Sequence, residues 1–198
     1  EYMREAVRRA LVANELTEAR VRLTVTGGAM SAEDIRGTLL VTAVEFVPYP
    51  AEYYEKGMTV TLCDYRQNSS DPLCGHKTTN FFARLVALQE AIKKKAAESL
   101  WFTTDNKLAE GCVSNVFIVK DGTLFTPRLD TPVLPGVARK TVLEIATKEG
   151  IAFEEKDLFI NDLLEADEVF VSNCIMTVMP VATVEAKAIG DGKPGSVT

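Results

Sequence analysis

Residues that build metal centres are scarce in this sequence, and long apolar runs are absent from it. The sequence has a single histidine, His76. Its four cysteines form no Cys-x-x-Cys pair, and both observations argue against a zinc site. No apolar run approaches the roughly 20 residues that a membrane-spanning helix needs. Basic residues are outnumbered, 22 against 28 acidic, and the net charge of −6 argues against nucleic-acid binding. Small molecules or other protein subunits are therefore the expected partners.

The composition is typical of a globular chain that is long enough for one large domain or two small ones. It has 198 residues, of which 46% are hydrophobic and 25% are charged. The four cysteines lie within or beside apolar, strand-like segments, which predicts reduced and mostly buried thiols in a cytoplasmic protein. The chain opens at Glu1 directly in a helical pattern and stops at Thr198 just after a Gly-Ser-Val run, so we expect it to be a fragment.

The first 47 residues predict a small α/β domain. The patterns there indicate a helix over residues 1–15, strands over 22–26 and 37–46, and a polar loop over 27–36. The segment Val47-Pro48-Tyr49-Pro50 cannot continue a central strand, because proline lacks the N–H that a sheet needs. We therefore predict a small domain over 1–47, a linker over 48–52 and a large domain over 53–198.

The large domain is predicted to mix helices with many neighbouring strands, an α/β fold. Helices are indicated after Asn80, with apolar residues from Phe82 to Ile92 on or near one face, between Gly136 and the stop at Gly150, and over 161–166. Strands are indicated over 58–63, 99–103, 115–119, 123–126, 169–172 and 178–184. Lys120-Asp121-Gly122 predicts a hairpin turn, and the run Lys93-Lys94-Lys95 predicts a solvated helix face.

Three short motifs follow one another in the large domain. They are His76-Lys77-Thr78-Thr79-Asn80, then Glu110-Gly111-Cys112-Val113-Ser114-Asn115-Val116-Phe117, then Leu134-Pro135-Gly136-Val137-Ala138-Arg139. Taken singly, each has an ordinary explanation: a surface lysine, a glutamate at a strand edge, and a common Pro-Gly helix start. Three spaced motifs in one order are much harder to obtain by chance.

With these motifs the chain resembles the class IV aminotransferases, a family that includes branched-chain and D-amino-acid aminotransferases and aminodeoxychorismate lyase. The resemblance runs from about Arg22 to the end and includes the terminal segment 190–198, where Ser196 replaces a usual proline. It implies a two-domain enzyme of fold type IV, with part of the small N-terminal α/β domain and a larger C-terminal pseudo-barrel domain. It also implies pyridoxal 5′-phosphate as cofactor and a homodimer, with part of the site outside this chain.

The resemblance assigns roles to the residues of the three motifs. Lys77 is expected to form a Schiff base with the cofactor aldehyde and to carry a proton at the substrate Cα. Glu110 is expected to face the pyridine nitrogen and keep it protonated. Val137 and Ala138 are expected to bind the phosphate through backbone N–H groups at a helix start. Ala138 stands where relatives often have threonine, so only its backbone can make that contact.

Three further positions are candidates for cofactor contacts. Cys174 occupies a position where many members of the family have a phosphate-binding threonine; the neighbouring Asn173 could replace that hydroxyl, or Cys174 could simply pack. Arg66 lies before the Lys77 loop and could reach the cofactor or a substrate carboxylate, because its planar guanidinium suits either group. A role for Arg66 on the surface is equally compatible with the sequence.

The expected reaction is amino transfer from an amino acid to a 2-oxo acid. The two residues between Lys77 and Asn80 are similar to the spacing in D-amino-acid aminotransferases and in the lyase. The alternative is therefore 4-amino-4-deoxychorismate lyase, which shares the early steps but eliminates pyruvate. A non-catalytic relative that keeps only the scaffold is the third hypothesis.

Overall fold

The chain divides into two compact units, residues 1–48 and 49–198. The computed structural model describes residues 1–28 and 37–198. In the first unit, helix α1 (Tyr2–Ala13) packs against a two-stranded antiparallel sheet of β1 (Ala19–Val25) and β2 (Leu39–Glu45). The predicted helix and both predicted strands are confirmed here, whereas most of the predicted loop over 27–36 lies outside the described residues.

The second unit contains four helices around one mixed sheet. The helices are α2 (Ala51–Lys56), α3 (Phe82–Lys93), α4 (Val137–Glu149) and α5 (Ile160–Leu164). The strands are β3 (Met58–Gln67), β4 (Glu98–Thr103), β5 (Leu108–Gly111), β6 (Asn115–Lys120), β7 (Thr123–Pro127), β8 (Phe153–Lys156), β9 (Glu168–Asn173), β10 (Thr177–Val184) and β11 (Lys187–Ala188). The predicted α/β class is confirmed.

The sheet of the second unit curls so that its two edges approach each other. Its strand order is β5-β4-β3-β10-β9-β6-β7-β8, with β11 paired to β10. Although β5 and β8 are at opposite ends of this order, the backbone N–H of Leu108 in β5 donates to the carbonyl of Leu158, just beyond β8, at 2.7 Å. The result is a half-barrel that encloses the main core.

Alternate side chains of the central strands enter two different cores. Val116 and Ile118 of β6 point into the concave core of the half-barrel. Phe117 points to the other face, where it stacks on Phe170 of β9 with ring centroids 4.8 Å apart, beneath α4. This alternation follows from the two-residue period of a strand, and it places α4 on the convex face.

Local turn chemistry explains the confirmed boundaries. Asp121 and Gly122 both have positive φ, 50° and 72°, the conformation that a two-residue hairpin between right-twisted strands requires. Helix α4 ends at Gly150, which adopts the left-handed conformation with φ 70°. Both features were readable from the sequence because they depend on neighbouring residues only.

The predicted apolar face of α3 is wrong in part. Ile92 and Phe82 are largely exposed, and the buried side chains of α3 are Ala87 and Ala91. Alanine allows the helix to lie close to its sheet, in the region of Cys63 and the other members of a small core cluster. Hydrophobic spacing identified the helix, but side-chain size decided which face packs. The three lysines at 93–95 are exposed as predicted.

Four elements were not predicted, one of them the two-residue strand β11. Helix α2 begins at Ala51, inside the predicted linker over 48–52, and Pro50 precedes it with φ −54°, a value compatible with helix entry. Strand β5 has only four residues, and β8 is mostly exposed and charged, so neither has a recognisable alternation. Within the described residues, no helix is long and apolar enough to cross a membrane.

The four thiols are free, but they differ in exposure. Cys63 and Cys112 are buried, Cys74 is half-buried and Cys174 is exposed. The prediction of buried thiols therefore holds for two of them and is wrong for Cys174. The alternative that Cys174 simply packs is wrong for the same reason.

Candidate active site

Glu110, in the short strand β5, joins two of the three sequence motifs. Its side chain is buried, with a residue exposure of 6%. One carboxylate oxygen, Oε2, accepts a hydrogen bond from the backbone N–H of Leu134 at 2.9 Å. The other, Oε1, accepts one from Nη2 of Arg84 at 2.7 Å. The segment that leads into α4 is thus held directly on this carboxylate.

The electrostatic environment of Glu110 contains opposing influences. Burial raises the pKa of its carboxyl above the ordinary value, because the charged form loses its hydration. The guanidinium of Arg84, the hydrogen bond from Leu134 and the charge of Lys77 each lower this pKa again. A buried carboxylate with these partners is the kind of group that functional sites use to control a proton.

Lys77 lies in the loop between β3 and α3, and its side chain is exposed. Its charge nevertheless acts on Glu110, so the remaining motif also reaches this region. The loop is anchored beside the segment before α4: a side chain at Gly75 would meet the carbonyl of Val133 at 3.3 Å, and Gly75 has φ +76°. The structure therefore brings Lys77, Glu110 and the segment that leads into α4 into one region.

The start of α4 offers backbone donors without a side-chain cap. Its N-cap residue is Gly136, and the first N–H groups of a helix have no partner within the helix. Asn115 holds this start by donating from Nδ2 to the carbonyl of Leu134 at 2.8 Å. A Cβ at Gly136 would overlap Oδ1 of Asn115, so glycine is needed for this close approach. Val137 and Ala138 follow as the first two helical residues.

A buried hydroxyl lies beside the same helix start. Ser172 is paired with Asn115 in the β6–β9 ladder, so both side chains lie on one face of the sheet. Ser172 is fully buried, and its Oγ has no hydrogen-bond partner among the residues that the structure describes. Unpaired donors next to the positive end of a helix fit a phosphate group. The residues present are therefore compatible with the cofactor that the resemblance implies.

Asn173 builds the tight turn between β9 and β10. Its Oδ1 accepts from the backbone N–H groups of Ile175 and Met176, both at 2.8 Å, and its Nδ2 donates to the carbonyl of Val113 at 3.1 Å. The turn is thereby tied to the loop that follows Glu110, and it presents the exposed Cys174. The expected contacts of Asn173 and Cys174 with a phosphate stay predictions.

Arg66 is turned onto its own strand. Its Nη1 donates to the carbonyl of Cys63 at 2.8 Å and to that of Tyr65 at 3.4 Å. The guanidinium also lies 6.0 Å from the ring centroid of Phe102. In this conformation Nη1 donates to the β3 backbone, and the role of Arg66 toward a cofactor or substrate stays a prediction.

Sequence reasoning missed Glu98, which organises the loop after Glu110. Glu98 has 0% exposure and receives four hydrogen bonds. The donors are the backbone N–H groups of Ser99 (2.9 Å), Cys112 (2.9 Å) and Val113 (3.1 Å) and the hydroxyl of Ser114 (2.8 Å). Burial raises the pKa of this carboxyl, and these bonds offset part of that increase. The sequence did contain one indication of this role, because Glu98 directly precedes an apolar strand. The nearby lysine run, however, favoured an exposed position for it.

Sequence reasoning also missed Arg84 and Gln67, which approach Glu110 from α3 and β3. Neither belongs to one of the three motifs, and both are distant from Glu110 in the chain. In the described part of the chain, no group of three or more His, Cys, Asp or Glu side chains could hold a metal ion.

The sequence pattern of one protein family, described as Amino-transferase class IV, matches residues 1–184. The chain is 29% identical over 206 aligned positions to a D-alanine aminotransferase of Listeria monocytogenes serotype 1/2a (strain 10403S), covering 100% of this chain and 70% of that protein.

Two solved structures have the same fold. The branched-chain amino acid aminotransferase of Escherichia coli superposes with a TM-score of 0.90 at 28% identity, covering 99% of this chain and 67% of that one. A branched-chain amino acid aminotransferase of T.th. with pyridoxamine 5′-phosphate superposes with a TM-score of 0.87 at 25% identity, covering 98% and 66%. The predicted fold type IV is confirmed.

Proposed function

The chain belongs to the class IV aminotransferase family, and on that premise we propose that it binds pyridoxal 5′-phosphate and transfers an amino group from an amino acid to a 2-oxo acid. The observation that carries the proposal is Glu110, a buried carboxylate that is bonded to the segment leading into α4 and lies within electrostatic reach of Lys77. The three groups that the cofactor requires thus come from three separate segments of the chain.

Each of these groups has one task. Bound pyridoxal phosphate supplies an aldehyde and an electron-accepting ring. The amine of Lys77 holds the cofactor covalently and moves a proton at the substrate Cα. The carboxylate of Glu110 holds a proton on the pyridine nitrogen. The backbone N–H groups of Val137 and Ala138 bind the phosphate, where the helix dipole favours an anion.

The covalent link gives the test of this proposal. We expect the protein to show the absorbance of bound cofactor and, after borohydride reduction, a cofactor-modified peptide that contains Lys77. Lys77→Ala should abolish both signals, whereas Lys93→Ala, which removes an exposed lysine of α3, should keep both. Modification of a different lysine, or an unchanged absorbance in Lys77→Ala, would overturn the proposal.

The reaction is tested by two incubations. The names of the relatives make D-alanine and leucine, each with 2-oxoglutarate, the first substrates to try. We expect glutamate to form in at least one of these mixtures. Release of pyruvate from aminodeoxychorismate without any 2-oxo acid would establish the lyase alternative instead, and a protein without cofactor absorbance would establish the non-catalytic scaffold.

We also infer a cytoplasmic homodimer. Four free cysteines suit a reducing compartment, and a cofactor site shared between subunits would require a second copy. Light scattering after size exclusion should give twice the mass of a single chain. A monomeric mass for the active protein would contradict the dimer.

A further inference from the structure

We propose that Arg84 is a positioning residue, which fixes the Glu110 carboxylate for the cofactor and joins it to the helix that follows the Lys77 loop. This inference rests on the proposed function. It concerns a residue that lies outside the three motifs and that contacts Glu110 from a different element of the fold.

The guanidinium of Arg84 is held by three acceptors at once. Its Nη2 donates to Oε1 of Glu110 and to Oε1 of Gln67, both at 2.7 Å, and its Nη1 donates to the carbonyl of Gly111 at 2.8 Å. Because a guanidinium is planar, acceptors on two of its nitrogens fix its orientation as well as its place. The ion-pair partner of Glu110 therefore has a fixed position and orientation.

An aromatic ring supports the same guanidinium. Its central carbon lies 5.1 Å from the ring centroid of Trp101, a distance at which the ring face attracts a cation. Trp101 is buried and donates from Nε1 to Sγ of Cys112 at 3.2 Å. Cys112 follows Glu110 by two residues, so the support and the carboxylate belong to one packed cluster.

Gln67 extends the network to the segment before α4. Its Oε1 accepts from Arg84, and its Nε2 donates to the carbonyl of Pro132. Leu134, two residues later, donates to the other oxygen of Glu110. Arg84 and Glu110 are thus connected twice, directly and through the segment that leads into α4. Arg84 also follows Lys77 by seven residues, which ties the end of the Lys77 loop to the same cluster.

The charge of Arg84 offsets the burial of Glu110. Burial raises the pKa of this carboxyl, and Arg84 is the strongest influence that lowers it again. Without Arg84 a buried carboxylate would lose its main compensating charge, and the protonated form would be favoured. A protonated Glu110 would donate its hydrogen toward the pyridine nitrogen, where the proposed role requires an acceptor.

The first test uses the protein without cofactor. The carboxyl of Glu110 is followed by ¹³C NMR as a function of pH and assigned with Glu110→Gln. In Arg84→Gln we expect its midpoint to rise by about one pH unit or more. Arg84→Lys keeps the charge but not the planar fork, so its midpoint should lie between the two. Arg128→Gln removes an exposed ion pair with Asp130 and should change nothing.

The second test measures unfolding free energy against pH. A group whose pKa is raised by folding stabilises the protein below its unfolded pKa, and that contribution is lost as the pH rises through the folded pKa. Arg84→Gln raises the folded pKa further. Its deficit relative to the parent protein should therefore grow as the pH rises through the folded pKa of Glu110. A deficit that stays constant with pH would indicate lost packing only.

The outcomes for Arg84 and for the proposed function are separable. An unchanged Glu110 midpoint in both Arg84→Gln and Arg84→Lys overturns the role of Arg84, even if Lys77 carries the cofactor. In the loaded enzyme, Arg84→Gln should lower kcat more than it raises KM and should change the pH dependence of the bound cofactor absorbance. Should Arg84→Gln not fold, the intermediate midpoint expected for Arg84→Lys decides the question, and a midpoint equal to that of the parent protein overturns the inference.

Discussion

Two buried glutamates in adjacent strands, Glu98 of β4 and Glu110 of β5, have different kinds of partners. Glu98 receives only backbone N–H and serine hydroxyl donors, all within reach of one loop. Glu110 receives one backbone donor and one arginine. The bonds to Glu98 hold the conformation of a loop, whereas the arginine beside Glu110 stabilises the charged form of that carboxylate. Identical side chains therefore serve structure and chemistry only a short distance apart.

Replacing Glu98 by glutamine tests its structural role. Each carboxylate oxygen of Glu98 accepts two hydrogen bonds. In Glu98→Gln an NH₂ group replaces one of these oxygens, so two donors lose their acceptor. We expect the unfolding free energy to fall by about 2 kcal/mol in urea titrations near pH 7. Glu52→Gln, at an exposed position of α2, serves as control and should leave the urea midpoint unchanged. Equal midpoints for both variants would contradict the role of Glu98.

Among the elements, α4 has a position that depends on the glycines at its two ends and on one buried arginine. Gly136 allows its start to lie on Asn115, and Gly150 ends it. Arg139, in its first turn, is buried and donates to the carbonyl of Pro127 at 2.9 Å and to Glu155 at 2.5 Å. The direction of the helix start is therefore set by contacts outside the helix.

Gly136→Ala should displace the start of α4. The backbone there, with φ −63° and ψ 142°, is open to any residue, so the cost comes from overlap of the new methyl group with Asn115. We expect a loss of about 1–3 kcal/mol in unfolding free energy and weaker binding of pyridoxal phosphate in a fluorescence titration. Gly27→Ala, where no atom of the described residues lies within 4 Å of the added methyl group, should change neither quantity. Unaltered cofactor binding in Gly136→Ala would argue against a phosphate site at this helix.

At the scale of the whole molecule, the two units differ in how much they bury. No residue of the first unit is fully buried, within the described stretches 1–28 and 37–48. The second unit carries all the large, fully buried side chains found in the described chain, including Phe117 and Leu100. A two-stranded sheet with one helix is a small basis for independent stability.

Hydrogen exchange should separate the two units. We expect amides of β1 and β2 to exchange at least about 10-fold faster than those of β6 and β9, because little apolar surface protects the first sheet. Mass spectrometry of peptides from timed exchange gives this comparison within one sample. Similar protection in both sheets would show that the first unit is stabilised as strongly as the second.

The candidate site was only partly predictable. Lys77, Glu110 and the start of α4 were recognised because their motifs are short and their spacing is unusual in combination. Glu98 and Arg84 were not, since their partners are 14 and 26 residues away along the chain. Nothing local to Arg84 distinguishes it from an exposed helix arginine.

Sequence patterns were sufficient to predict the α/β class, most helices and strands, the Asp121-Gly122 turn and the family. These depend on periodicity, turn residues and short motifs, which act over a few neighbouring positions. Long-range packing was needed to establish the strand order, the burial of Ala87 and Ala91 on the packed face of α3, and the partners of Glu110. Burial and charge pairing arise between segments that are far apart in the chain. These contacts depend on the curled sheet as a whole and are not visible in any local pattern of residues.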